Sequence, residues 1–418
     1  MRVCIVSQYF WPESFLINDL AADLTRRGHQ VHVLTGIPNY PKGAFYPGYR
    51  NWPKCEDFQG ISIHRVPLVA RGRGGPWRLA ANYLSFAASA TVIGPWLVRT
   101  RPDVLVVFQP SPATVGIPAA WLSLLRQTPL VYWVQDLWPD TLQTAGGVRS
   151  RWVLAAIDWM VRAVYRRCAR VCVQSRGFAS YVAAQNVPSH KIVIMPNWAD
   201  DAYRPIDLPP SAPEHVELPS GFRLVYGGNV GQAQGWRTWV EAAERTRHLE
   251  HLKWVVIGEG RQWGRLRQEI EQRGLSGTVH LLGSRPSEAM PRYFAAADAL
   301  LVSLKSCPVL ARTIPSKVQA YLACGRPILA ALEGDGAEVV RQAGAGLVVP
   351  PEDPQALADA AIRLTQLAPG ERAAMGTQGR LYYDRHFARQ TILDRWERLL
   401  EEVACQRRQS KECERCAA

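Results

Sequence analysis

One rhythm constrains this chain more than any other feature, and it occurs twice: a short uninterrupted apolar run, a stretch with helical spacing, then another apolar run. Val3–Ser7, Leu16–Arg27 and Gln30–Thr35 set it first, with Gly28 closing the helix. It resumes at Arg223, where LVYGG leads into a helix over 236–245 and then Trp254–Ile257. Apolar runs without alternation read as strands covered on both faces, and such strands separated by helices build parallel sheets. Between the two series, 196–220 is rich in proline and acidic residues, the composition of a connection between domains. A chain of 418 residues is too long for one ordinary core. The expectation is an α/β protein of two doubly wound domains, 1–196 and 222–390. A linker covers 197–221, a further helix 391–404, and a charged tail 405–418.

The charge of +13 is uneven. Residues 1–200 hold 21 Lys and Arg against 10 Asp and Glu, whereas 201–418 hold 28 against 26. A basic first half implies an anionic partner. No nucleic-acid-binding motif occurs, which leaves an anionic membrane surface or a phosphorylated substrate. The nine cysteines form no framework and read as small buried hydrophobes of a reducing compartment. Cys413 and Cys416 make a CxxC near Cys405, without the second ligand pair a zinc site needs. MRVCIVSQYFWPES has no signal-peptide layout, so a cytoplasmic protein is expected.

Leu79–Val98 is twenty residues without a formal charge, flanked by Arg71, Arg73 and Arg78 on one side and Arg99 and Arg101 on the other. Strands of one sheet precede and follow it, so it does not span a bilayer. It is either a helix lying partly in the membrane interface, with Trp77, Tyr83 and Trp96 in the interfacial belt, or a buried crossover helix. The Arg-rich helix Trp152–Arg170 offers a second basic amphipathic surface. Ligands of doubly wound sheets bind at the carboxyl ends of strands. Glu13 follows the first strand; Gln135, Asp136 and Asp140 follow the strand Leu130–Val134. Glu13 either orients a hydroxyl or is a solvated loop carboxylate, and Asp136 either serves chemistry or caps the next turn.

The second half carries glycines at 227, 228, 231 and 235, which permit the close backbone approach a diphosphate needs. PSKVQAYLACGRPILA, 315–330, places Ser316 and Lys317 at a helix start, where free N–H groups and the dipole favour anions. Lys317 adds a point charge.

These stretches together resemble the retaining glycosyltransferases of family 4. The resemblance rests on PNW-x-D (Pro196, Asn197, Trp198, Asp200), GGNVG, the GEG turn, FAAADALLVSL, ACGRPIL and the downstream Glu338, over about residues 1–403. PSK-xx-x-Y and QDLWPD look most like the bacterial polysaccharide branch with colanic-acid and fucosamine transferases. The resemblance implies a GT-B fold: two Rossmann-like domains facing across a cleft, acceptor on the first, nucleotide-sugar on the second, and a C-terminal helix returning to the first. It implies retention of configuration, no metal and no cofactor beyond the nucleotide-sugar co-substrate. The pair of glutamates usual in the family falls at Arg312 and Ala320, and the basic residues of its glycine-rich loop fall at Asn229 and Gln234. The acceptor-side histidine falls at Gln135, leaving Asp136 as the candidate catalytic group. Acceptor contacts then fall to Glu13, Gln135 and Asp140, and donor contacts to Gly228, Asn229, Gly231, Arg312, Ser316, Lys317 and Glu338.

The expected activity is transfer of a sugar from a nucleotide-sugar to a polyprenyl-diphosphate-linked saccharide in bacterial surface-polysaccharide assembly, peripheral to the inner face of the plasma membrane. Two alternatives share the fold: a nucleotide-sugar 2-epimerase, and a non-catalytic glycosyltransferase-like partner subunit. The apolar segment speaks against the first, which needs no membrane. The missing glutamates keep the second open.

Overall fold

The computed structural model describes residues 1–72, 75–144 and 147–417, without the side chains of Thr144, Arg408, Ser410 and 411–417. Arg73 and the Cys413 and Cys416 thiols lie outside this description. The chain forms two compact units, Met1–Met195 with Leu393–Ala418, and Pro196–Ile392.

In the first unit the strands are β1 (Arg2–Val6), β2 (Gln30–Gly36), β3 (Lys54–Phe58), β4 (Ile61–Val66), β5 (Val104–Gln109), β6 (Leu130–Val134), β7 (Arg170–Val173) and β8 (Ile192–Ile194). They lie in the order β3-β4-β2-β1-β5-β6-β7-β8. All pairings are parallel except the edge pair β3–β4. The strand order reverses between β1 and β5, the switch point of a doubly wound sheet. β3 was not legible in the sequence, because KCEDF shows no apolar face and sits among turn residues.

The uncharged segment is a helix over Pro76–Leu97 that buries Asn82, Tyr83, Phe86, Ala87, Ala90 and Gly94 against the layer containing Leu34, Val66 and Val107. It is a crossover helix of the sheet, and Tyr83 faces the core rather than an interface. Its far side stays open, with Trp77 90% and Trp96 77% exposed. Among the described residues, no helix is long and apolar enough to cross a membrane. The last helix, Arg389–Ala417, inserts Trp396, fully buried, against Trp133 of β6 with ring centroids 4.7 Å apart.

The second unit has β9 (Phe222–Gly227), β10 (Leu252–Ile257), β11 (Val279–Gly283), β12 (Ala299–Ser303), β13 (Ile328–Ala331) and β14 (Gly346–Val349). Their order is β11-β10-β9-β12-β13-β14, all parallel. Successive side chains of β9 serve opposite faces. Leu224 and Tyr226 pack with Trp239 and Val240, whereas Val225 packs with Phe294 and Tyr321 on the other side. Two buried faces explain why the strand reads as a continuous apolar run. The proline-rich segment belongs to this unit, Glu214 holding Arg292 at its Nε and Nη2.

Candidate functional site

In the second unit the switch point falls between β9 and β12, and a cavity of about 620 Å³ opens at the ends of β9, β10 and β11. Its walls demand glycine. A Cβ on Gly227 would stand 2.5 Å from the Phe294 ring, and one on Gly258 (φ +147°) would stand 2.0 Å from the Gly228 carbonyl oxygen. Backbone therefore meets backbone where side chains would close the space.

The helix Ser316–Cys324 points its first turn into this cavity. Pro315 precedes it and supplies no side-chain cap, so the first amides are free for a ligand. Gly325, at φ +66°, ends the helix in the left-handed conformation usual for a C-terminal glycine. Buried Val318, Tyr321 and Leu322 anchor it, and the Gly227 N–H donates to the Tyr321 hydroxyl at 3.1 Å. Gln319 donates to the Asn197 carbonyl at 2.8 Å, which fixes the wall formed by Trp198, Asp200 and Tyr203.

Lys317 lines the cavity with Nζ 5.1 Å from the Tyr226 ring centroid. Enclosure disfavours its charge, and the ammonium is lowered to about 8 by desolvation. It makes no ion pair among the described residues. A desolvated cation lining an open cavity, with neither Asp200 nor Glu259 of the same lining paired to it, is a site for an anion.

The cavity joins four of the seven expected donor residues, Gly228, Asn229, Ser316 and Lys317. Three fall elsewhere. Gly231 lies behind the loop, its N–H donating to Gln234 Oε1 at 3.1 Å. Arg312 follows the short helix Pro308–Ala311, outside the lining. Glu338, expected as a donor contact, is the fifth residue of the helix Gly334–Gln342 and accepts from Gln342 at 2.8 Å on the surface, while Glu333 precedes the helix. Sequence reasoning missed Arg285, which lines the cavity and is held by Glu217 at 3.0 Å and Tyr293 at 3.1 Å. Its neighbours carry no motif, and only the strand end at Gly283 signals the position.

In the first unit Glu13 is 2% exposed and is no solvated loop carboxylate. Its Oε1 accepts the Asn39 and Tyr40 N–H groups at 2.8 and 2.7 Å, and Oε2 that of Phe10 at 3.3 Å. Burial outweighs these donors and pushes the carboxyl up to about 7. Glu13 fixes the loop after β2 through its backbone and turns neither oxygen outward. Asp136 accepts from the Thr141 hydroxyl at 2.6 Å and the Trp138 indole at 3.2 Å, and burial raises its carboxyl above the usual range. It therefore does cap the turn after β6, while Asp140 accepts from the Tyr181 hydroxyl at 2.9 Å. The Gln135 N–H donates to the Gln109 carbonyl at 3.0 Å, tying the ends of β5 and β6. Arg71 donates to the Tyr9 hydroxyl at 2.8 Å and stands 5.1 Å from the Tyr40 ring centroid, a basic aromatic corner near the end of β1.

A second feature of this unit is its outer helical layer. The helices Pro76–Leu97, Gly116–Arg126 and Arg151–Arg167 pack side by side. They expose Trp96, Leu124, Trp152 and Trp159, at 54–77%, among Arg99, Arg151 and Arg162.

Residues 16–198 match the model of the glycosyl transferase 4-like domain, and 221–366 that of glycosyl transferases group 1. The chain is 26% identical over 380 residues to a putative colanic acid biosynthesis glycosyl transferase, WcaI, of Escherichia coli, covering 88% of this chain and 91% of that one. It is 25% identical to the 2-deoxystreptamine N-acetyl-D-glucosaminyltransferase of Streptomyces fradiae, over 86% and 87% of the two chains. Its fold is similar to that of Anabaena Alr3699/HepE in complex with UDP and glucose, with TM-score 0.67, 16% identity and coverage of 96% and 99%. The chain belongs to the family 4 glycosyltransferases. Its two parallel α/β units are the domains of a GT-B fold, and its enzyme class is glycosyl transfer. Arg312 and Ala320 occupy the positions where the resemblance places two glutamates.

Proposed function

We propose that this glycosyltransferase takes a nucleotide-sugar into the Lys317 cavity and passes the sugar, with retained configuration, to a lipid-linked saccharide in bacterial surface-polysaccharide assembly. Lys317 carries the reading: a desolvated ammonium beside free helix amides suits a donor diphosphate and the charge that develops as the sugar departs. The reading assigns that neutralisation to Lys317 and backbone amides rather than to a metal ion. The UDP complex of the similarly folded Anabaena protein and the WcaI relative support the donor and pathway. Asp136 is the acceptor-side carboxylate in this scheme, its raised pKa suiting proton exchange with a hydroxyl.

The exposed tryptophans and arginines of the first unit favour an acceptor borne at the inner face of an anionic membrane over a small soluble one. They equally disfavour an epimerase, which has no use for such a surface. A thermal-shift screen of UDP, GDP and their sugar conjugates on wild type and Lys317→Ala tests the donor site. A ligand at about 100 times its Kd adds roughly 2.7 kcal/mol. One nucleotide is expected to raise the Tm of the wild type and leave the variant unmoved. A folded wild type unmoved by every nucleotide would overturn the reading.

A further inference from the structure

A second cavity, of about 230 Å³, lies in the same unit beyond the glycine-rich loop and shares no lining residue with the first. Its walls are the start of the helix Trp236–Arg245 with Gln262, Arg265, Lys305 and Glu352. We infer that it is a separate site for a phosphate-bearing anion, formed by Arg237, Arg265, Lys305 and the Thr238 hydroxyl.

Four observations converge. Three cations face one carboxylate, and that carboxylate is already engaged, Glu352 accepting the Ser306 N–H at 3.1 Å. Arg265 and Lys305 make no ion pair among the described residues, and Arg237 reaches only Glu269, at 3.5 Å. The helix is capped by no side chain, because Gly235 precedes it at φ +59°, so its first amides and dipole are open to an anion. Thr238 is 8% exposed and lines the cavity. Its hydroxyl has no hydrogen-bond partner among the described residues. An unpartnered hydroxyl on a largely buried side chain, open to a basic pocket, is spare hydrogen-bonding capacity for a ligand oxygen.

The space equals several water molecules at about 30 Å³ each, enough for a phosphate with part of the group it esterifies. Arginine forks suit phosphate oxygens geometrically, and the lysine adds a point charge. The phosphate comes from a soluble metabolite or from a lipid headgroup, and the two sources separate by experiment.

Inorganic pyrophosphate is titrated calorimetrically into the full chain with saturating UDP, and again into Lys317→Ala without nucleotide, so the result stands even if the donor reading fails. One pyrophosphate per chain is expected in both. Arg237→Ala/Arg265→Ala/Lys305→Ala should weaken it at least about 30-fold, or about 2 kcal/mol at about 1.4 kcal/mol per tenfold, with nucleotide affinity unchanged. Thr238→Ser should bind like wild type and Thr238→Val about fivefold worse. A parallel arm measures co-sedimentation with phosphatidylglycerol vesicles. Binding of vesicles but not pyrophosphate, lost in the triple variant, makes a lipid phosphate the source. If the folded triple variant matches wild type in both arms, or wild type binds neither probe, the inference falls.

Discussion

Lys317 and Glu13 are two groups whose charge the fold opposes, and pH reports on each. Lys317 titrates near 8 in the free protein, against about 10.4 for an unperturbed lysine. In that window the unfolded chain binds more protons, so this group makes stability rise with pH. Nucleotide binding works the opposite way, since a diphosphate needs the ammonium. On the proposed reading, affinity for the donor nucleotide should fall about tenfold per pH unit above 8, with proton uptake visible as a buffer-dependent binding enthalpy. Lys317→Arg, always charged, should remove the slope. Glu13, at about 7, holds more protons folded than unfolded between about 4.3 and 7. Its contribution is therefore present at low pH and lost as pH rises through 7, on the order of 3 kcal/mol in all. Glu13→Gln stays neutral but turns an amide toward the Phe10 N–H. Denaturant melts should show it less stable than wild type below pH 5, with the gap closing by pH 7.5. The position of Lys317 was legible because a proline and a small polar residue announce a helix start. The burial of Glu13 was not, because the amides it accepts come from Asn39 and Tyr40, some 26 residues downstream.

At the scale of elements, the strand ends of β9 and β10 shape the Lys317 cavity by touching without side chains. Gly258→Ala puts a methyl 2.0 Å from the Gly228 carbonyl at a φ of +147°, a conformation that L-residues rarely adopt. The loop must move. The expected result is loss of the nucleotide-induced thermal shift with a fall in stability of about 1–3 kcal/mol. Gly264→Ala, in the helix Trp263–Gln272 with nothing within 4 Å of its Cβ, should keep the thermal shift and raise stability by up to about 1 kcal/mol. The parallel strands were legible because both faces are covered and their sequences run apolar throughout. What escaped was the fate of individual side chains on apolar helices. Tyr83 and Trp96 belong to one uncharged stretch, yet Tyr83 is 8% exposed and Trp96 77%, and only the partner sheet decides which face is inside. The same limit misplaced Glu338, since the helix begins at Gly334 and turns that carboxylate to the surface.

At the scale of the whole molecule, charge divides as the fold does, with the excess of eleven positive charges in residues 1–200. That half also bears the exposed Trp96, Trp152 and Trp159 on adjoining helices. Tryptophans that remain outside while Phe86 and Trp133 are fully buried are spare apolar surface, and arginines beside them add attraction to anionic lipid of about 1 kcal/mol each near the surface. Neither term alone holds a protein firmly on a bilayer; the proposed membrane contact needs both, and they leave different signatures. Vesicles containing phosphatidylglycerol should bind the protein, and vesicles of phosphatidylcholine alone should bind it at least about tenfold more weakly. Raising salt from 0.1 to 1 M shortens the screening length from about 10 to 3 Å and should release most of it. Trp96→Ser/Trp152→Ser/Trp159→Ser should lower the salt-resistant fraction while leaving Tm within a degree or two, because these rings pack against little. Should the variant and wild type sediment alike, or should neutral vesicles bind as well as anionic ones, this face has another occupant, and the acceptor would then reach the enzyme from solution.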